Sequence, residues 1–184
     1  MNFKSFLKNN IVLLDGAMGT ELQNAGLPLG ELPEEWNVTH AEVVTGIHAA
    51  YFEAGADVVC ANTFGANSLK FGERTEEIIS AAIACARRAR GNRRDKFISL
   101  DVGPTGKLLR PLGDLDFEEA VKIFGRTIAA GAEAGADLVQ IETMNDLYEL
   151  KAAVLAAKEY GRGLPVVATC VFGADCKMMT GASP

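Results

Sequence analysis

Cysteine is scarce and irregularly spaced in this 184-residue chain, with four residues, at 60, 85, 170 and 176. That excludes the regular framework of a small secreted scaffold, and the start, Met1-Asn2-Phe3-Lys4, lacks the apolar stretch of a secretory leader. Reduced thiols and a cytoplasmic location are therefore expected. No apolar run approaches the length of a membrane span, so no membrane partner is expected. Basic residues are outnumbered, 18 Lys and Arg against 24 Asp and Glu, giving a net charge of −6. This balance argues against nucleic acid as a partner, because neutralising phosphates needs clustered cations. The one basic cluster, Arg87-Arg88-Ala89-Arg90 with Arg93-Arg94, falls at the expected end of a helix and reads as a solvated terminus. No G-x-G-x-x-G and no nucleophile elbow follows any apolar run, which removes support for dinucleotide or serine-hydrolase chemistry. Gly103-Pro104-Thr105-Gly106-Lys107 resembles a phosphate loop, but its glycines are too close and Leu108 replaces the Ser or Thr. Both histidines, His40 at a helix start and His48 on a helix side, fall away from the expected strand ends.

What is present is a repeat. Glu53-Ala54-Gly55-Ala56-Asp57-Val58-Val59 recurs 80 residues later as Glu133-Ala134-Gly135-Ala136-Asp137-Leu138-Val139. Each copy reads as a helix end, a glycine suited to a left-handed cap, a short turn and an apolar strand. The spacing is that of two βα units of roughly 40 residues each. Five short apolar strands are predicted, at Ile11–Leu14, Val58–Cys60, Phe97–Leu100, Leu138–Ile141 and Val166–Cys170. Such continuous runs suit strands buried on both faces. Thr39-x-x-Glu42, Asp116-x-x-Glu119 and Asp146-x-x-Glu149 have capping-box spacing and predict three helix starts. The matching apolar stripes are Val43, Ile47, Tyr51 and Ala54; Phe117, Val121, Phe124 and Ile128; and Leu147, Leu150, Val154 and Ala157. A further helix is expected over about 76–90. Alternating strand and helix implies an α/β fold with a parallel sheet, closed either as an open doubly wound sheet or as a barrel.

The polar residues follow the strands. The first strand runs into Asp15-Gly16-Ala17-Met18-Gly19-Thr20 and the second into Ala61-Asn62-Thr63-Phe64-Gly65. The third ends in Asp101-Val102-Gly103-Pro104 and the fourth in Glu142-Thr143-Met144-Asn145-Asp146. In a parallel sheet these carboxyl ends share one side, where barrel and open-sheet enzymes place their sites. A lone Asp here would serve its own turn. Three acids at corresponding ends, Asp15, Asp101 and Glu142, point instead to a ligand. Carboxylates beside exposed backbone N–H groups suit a zwitterion, its ammonium on the acids and its carboxylate on the amides.

These four strand-end motifs, with Leu150-Lys151-Ala152-Ala153 after the last, resemble the homocysteine S-methyltransferase family in order and spacing over nearly the whole chain. The likeness is greatest to the homocysteine-binding domain of the cobalamin-dependent methionine synthase type. The resemblance implies a (β/α)8 TIM barrel and methyl transfer to the thiol of homocysteine, giving methionine. It places Asp15 and Glu142 on the substrate ammonium, Gly16 and Thr63 against the amino-acid portion, and Asn62 and Asp101 as supports of the mouth. It also implies zinc held by three cysteines after the sixth and eighth strands, and allows methylcobalamin as donor through another domain. Neither zinc motif occurs in the chain, and none of the four cysteines matches a ligand position. The expectation is an incomplete barrel: residues 1–184 as its N-terminal portion, about five βα units, lacking strands six to eight and inactive alone. A non-catalytic half-barrel module completed by a partner chain, or self-associated through its open edges, is the alternative.

Overall fold

The computed structural model describes residues 2–184 as alternating helices and strands. Four parallel strands, β1 (Val58–Cys60), β2 (Phe97–Val102), β3 (Leu138–Met144) and β4 (Val166–Cys170), lie side by side in chain order. Three short helices, α1 (Phe3–Leu7), α2 (Met18–Asn24) and α3 (Trp36–Thr39), precede the long helix α4 (Ala41–Glu53). Beyond β1 come α5 (Ser68–Phe71) and α6 (Thr75–Arg90), then α7 (Phe117–Ala134) and α8 (Leu147–Tyr160), each before the next strand. Sequential parallel strands joined by helical crossovers are an α/β arrangement consistent with part of a TIM barrel. Among the described residues no helix is long and apolar enough to cross a membrane.

β2 is buried along its whole length, as its apolar run requires. The two outer segments depart from expectation. Ile11–Leu14 forms no strand; it contributes one bridge, Leu14 to Val58, with Asp57 N–H donating to Leu13 O at 2.7 Å. This segment has a neighbour on one side only, and Asp57 Oδ2 holds it there by taking the Leu13 N–H at 3.0 Å. β4 does form, but its last three residues are exposed rather than buried on both faces, because it pairs only with β3.

The repeat does its work through its acid as well as its glycine. Gly55 and Gly135 adopt φ of +112° and +93°, a region that glycine enters without strain. Asp57 and Asp137 then repeat one device: each accepts the N–H of a residue on the preceding unit, Leu13 or Ile98, and pairs with a cation, Lys96 at 3.1 Å or Arg90 at 2.7 Å. The basic cluster is thus not merely solvated, since Arg90 pins α6 to the start of β3 and Arg87 donates to Ala134 O.

The three capping motifs fare differently. Asp146 caps α8, accepting from Tyr148 and Glu149 N–H at 2.6 and 3.0 Å. Asp116 stands at the N-cap of α7 without a cap bond and faces Arg110 at 3.3 Å. Thr39 instead donates to Glu35 O, closing α3, and α4 begins after His40. The stripe of α7 is as expected, with Val121, Phe124 and Ile128 buried. The buried face of α4 is shifted by one residue, to Val44, His48 and Phe52: Val44 packs with Leu22, Trp36 and Cys85 while Phe52 joins the main core, leaving Val43 and Ile47 partly buried at the edge. In α8 the small residues Ala152, Ala153, Ala156 and Ala157 are the buried ones. Small side chains let neighbouring layers approach closely: a Cβ on Gly131 of α7 would come within 2.5 Å of Leu100 in β2.

Candidate functional site

At the carboxyl ends of the strands a cleft of about 540 Å³ is lined by Asp15, Gly16, Asn62, Asp101 and Glu142, five of the six residues singled out from the sequence. Strand register explains part of this. Asp101 in β2 pairs with Gln140 in β3, and Glu142 lies two residues further on the same face. The chain turns sharply after Glu142: β3 slips register between Ile141 and Met144, and Thr143 takes a φ of +60°. A β-branched residue there is strained, and such strain concentrates at binding sites.

Each acid is fixed by its neighbours. Asp15 Oδ2 accepts the Cys60 N–H at 2.9 Å, tying the first turn to β1. Burial pushes the Asp15 carboxyl up to about 6, and Glu142 nearby adds to the rise. Glu142 Oε2 accepts from the Gln140 amide at 2.9 Å. Asp101 is raised well above the ordinary carboxylate range, first by burial and then by the charges of Glu142, Asp15 and Glu34. Burial and the three neighbouring acids also drive the Cys60 thiol upward, so it stays a protonated, weakly reactive wall of the cleft.

The supporting residues are bound closely. Thr63, expected against a ligand, is buried behind the cleft; its hydroxyl donates to Asp101 O at 2.7 Å and accepts the Asp101 N–H at 3.1 Å. Asn62 donates to Pro33 O and Asn37 Oδ1 at 2.8 and 3.0 Å, while Asn37 donates to Asn62 O at 2.8 Å. Gly16 packs against Tyr51, whose hydroxyl would lie 2.9 Å from any Cβ at that position. The glycine loop after β2 carries no free phosphate cradle: Glu149 accepts both the N–H and hydroxyl of Thr105, at 2.8 and 2.6 Å.

Glu34 and Gln140 also line the cleft and escape the motif reading. Gln140 had a signal, as the one polar residue inside the apolar run of β3. Glu34, in the 3-10 turn Pro33–Glu35, had none. With Asp101 they leave three buried acceptors without a donor: Glu34 Oε2, Asp101 Oδ1 and Gln140 Oε1. Buried acceptors of this kind call for hydrogen-bond donors, and beside carboxylates a cationic donor fits. Among the described residues no group of three or more His, Cys, Asp or Glu side chains is placed to hold a metal ion. The chain's own residues therefore do not fit the zinc that the family resemblance implies. His48 is separate: wholly buried in α4, with neither ring nitrogen partnered, and lowered by burial to about 4.

Comparison with known proteins gives this geometry a family. The homocysteine S-methyltransferase family matches residues 12–184. The chain is 33% identical to the methionine synthase of Mycobacterium tuberculosis over 96% of its own length, and spans 16% of that protein. It is likewise 33% identical to the methionine synthase of Mycobacterium leprae, over 87% of this chain and 15% of the relative. The fold superposes on the metallated form of the homocysteine methyltransferase MmuM from Escherichia coli with a TM-score of 0.84 at 24% identity, covering 98% of this chain and 70% of MmuM. The apo form of MmuM superposes with a TM-score of 0.74. With nearly its full length matched, the chain belongs to the homocysteine S-methyltransferase family.

Proposed function

We propose that the cleft binds homocysteine and that the whole protein transfers a methyl group to its thiol, giving methionine. The carrying observation is the set of carboxylates and donorless buried acceptors at the strand ends, which suits the α-ammonium of an amino acid. In this reading Asp15 and Glu142 hold the ammonium. Gly16 lies against the amino-acid portion, in the turn whose backbone amides take the carboxylate. Asn62 and Asp101 support the mouth, with Thr63 bracing the Asp101 backbone from behind. The sulfur, its proton passed to solvent, forms a bond to the methyl carbon as the donor's bond to that carbon breaks and its electron pair stays with the donor. In the complete family domain zinc would favour that thiolate at neutral pH, where a free thiol of pKa about 8.5 is mostly protonated. Residues 1–184 are then the N-terminal portion of the barrel, strands six to eight coming from further sequence, with methylcobalamin as donor through another domain. The coverage of relatives, 16% and 70% of their lengths, supports this division.

The test is homocysteine affinity in Asp15→Asn and Glu142→Gln variants of the full-length protein. Removing one charge-assisted partner should cost roughly 1.5–3 kcal/mol, about ten- to a hundredfold in affinity. Unchanged affinity in both variants would contradict the assignment. The second reading, a non-catalytic half-barrel completed by a partner, is favoured by apolar side chains at both outer segments, with Ile11 89% and Val171 46% exposed.

A further inference from the structure

Glu34 lies outside every motif, yet it is only 4% exposed and lines the cleft. Its Oε1 accepts the Gly65 N–H at 2.6 Å, and its Oε2 is buried without a partner. The side chain is held in place from two directions. The Asn37–Asn62 pair ties the Pro33 carbonyl to the end of β1, and Gly65 lacks the Cβ that would sit 2.6 Å from Glu34 Oε1. Arg74 pairs with the adjacent Glu35. The Lys70 ammonium lies beside Glu34 Oε1 on the same side of Gly65 without forming an ion pair, and it gives the buried Oε2 no donor. Asp15 and Glu142 also have one oxygen tied to a protein donor, Cys60 N–H or the Gln140 amide, but both are only partly buried and the orphaned buried oxygen is particular to Glu34 among these three. A buried carboxylate oxygen with no donor is costly, and a ligand that supplies an N–H removes that cost. A ligand that fills the cleft without an N–H leaves it in place.

We propose that Glu34 is a specificity-determining residue of this cleft, its Oε2 accepting from the protonated amine of the ligand so that amine-free thiols are rejected. This rests on the reading of the cleft as an amino-acid site. The discrimination comes from a site built to hydrogen-bond a polar group that the wrong ligand does not have.

The test is binding of L-homocysteine and of its des-amino analogue, 4-sulfanylbutanoic acid, to the full-length protein and its Glu34→Gln variant, followed by isothermal titration. Glutamine keeps an acceptor for Gly65 and nearly the same volume, but places an amide donor in place of the second oxygen. Wild type should prefer homocysteine. Glu34→Gln should weaken homocysteine binding about tenfold or more and leave the analogue within about twofold. Equal weakening of both ligands would make Glu34 merely structural and overturn the proposal, as would no change in either. A wild type that fails to prefer homocysteine would contradict the amino-acid reading itself. A preference present in wild type and intact in Glu34→Gln would remove only the role of Glu34. Should Glu34→Gln not fold, Glu34→Asp, which withdraws the carboxylate by one methylene, is read the same way: loss of the preference supports the proposal and its retention overturns it.

Discussion

Asp15 carries the pH behaviour of the cleft. Its carboxyl, raised by burial to about 6, must be ionised to hold an ammonium, so protons compete with the ligand. Homocysteine should bind about tenfold more weakly at pH 5 than at pH 7. Asp15→Asn should bind weakly at both values and lose that part of the pH dependence, which isothermal titration at the two pH values checks. His48 governs stability instead. Its folded pKa of about 4 lies below the ordinary 6.5, so the unfolded chain takes up the proton first. Stability is therefore lost as pH falls from about 6.5 towards about 4, by up to about 3 kcal/mol. Asp15 works in the opposite sense, its raised carboxyl favouring the folded state as pH falls from about 6 to 3.8. The His48 contribution is thus read by difference: as pH drops through this window, wild type should lose up to about 3 kcal/mol more stability in urea unfolding than His48→Leu does. A constant gap between them would contradict it. At this scale the sequence showed Asp15, Asn62, Asp101 and Glu142 clearly, because each ends an apolar run. It hid Glu34, whose role depends on a turn brought to the cleft by Asn37 and Asn62 across the fold.

The helices separate spacing from partnership. Asp116 and Asp146 share the same motif, but only Asp146 accepts backbone N–H groups at its helix start. Asp146→Ala should cost about 0.5–2 kcal/mol, a normal cap loss. Asp116→Ala removes one exposed ion pair and should cost less than about 1 kcal/mol. Thermal unfolding of the two variants checks this, and equal losses would contradict the assignment. The sequence pattern could not tell them apart, since it carries the residue types and not the competing Arg110 or the register of the turn. The same limit applies to α4, where Val43, Ile47 and Tyr51 form one helical row and Val44, His48 and Phe52 another. Tertiary packing buries the second row most deeply: Val44 packs with Leu22, Trp36 and Cys85, Phe52 joins the main core, and Val43 and Ile47 are only partly buried. The repeated Gly and Asp of the βα units were legible in position, but the shared task of Asp57 and Asp137 emerges only where each meets the preceding unit.

Across the whole molecule, the parallel direction of the strands followed from alternation alone, while their sequential order and the choice between barrel and open sheet did not, the barrel resting on the strand-end motifs. The weak pairing of 11–14 and the exposure of β4 reflect neighbours on one side only, which no local pattern records. With apolar side chains exposed at both outer segments, the 184-residue chain alone should self-associate in light scattering as its concentration rises. A concentration-independent monomer would contradict that expectation. The central claim, that the acids and donorless acceptors at the strand ends receive the ammonium of homocysteine, is tested most directly by a crystal structure of the homocysteine complex. The account predicts the amino nitrogen within hydrogen-bond distance of Asp15 and Glu142, about 2.7–3.2 Å. A ligand whose amine faces solvent, or that binds away from these strand ends, would contradict it.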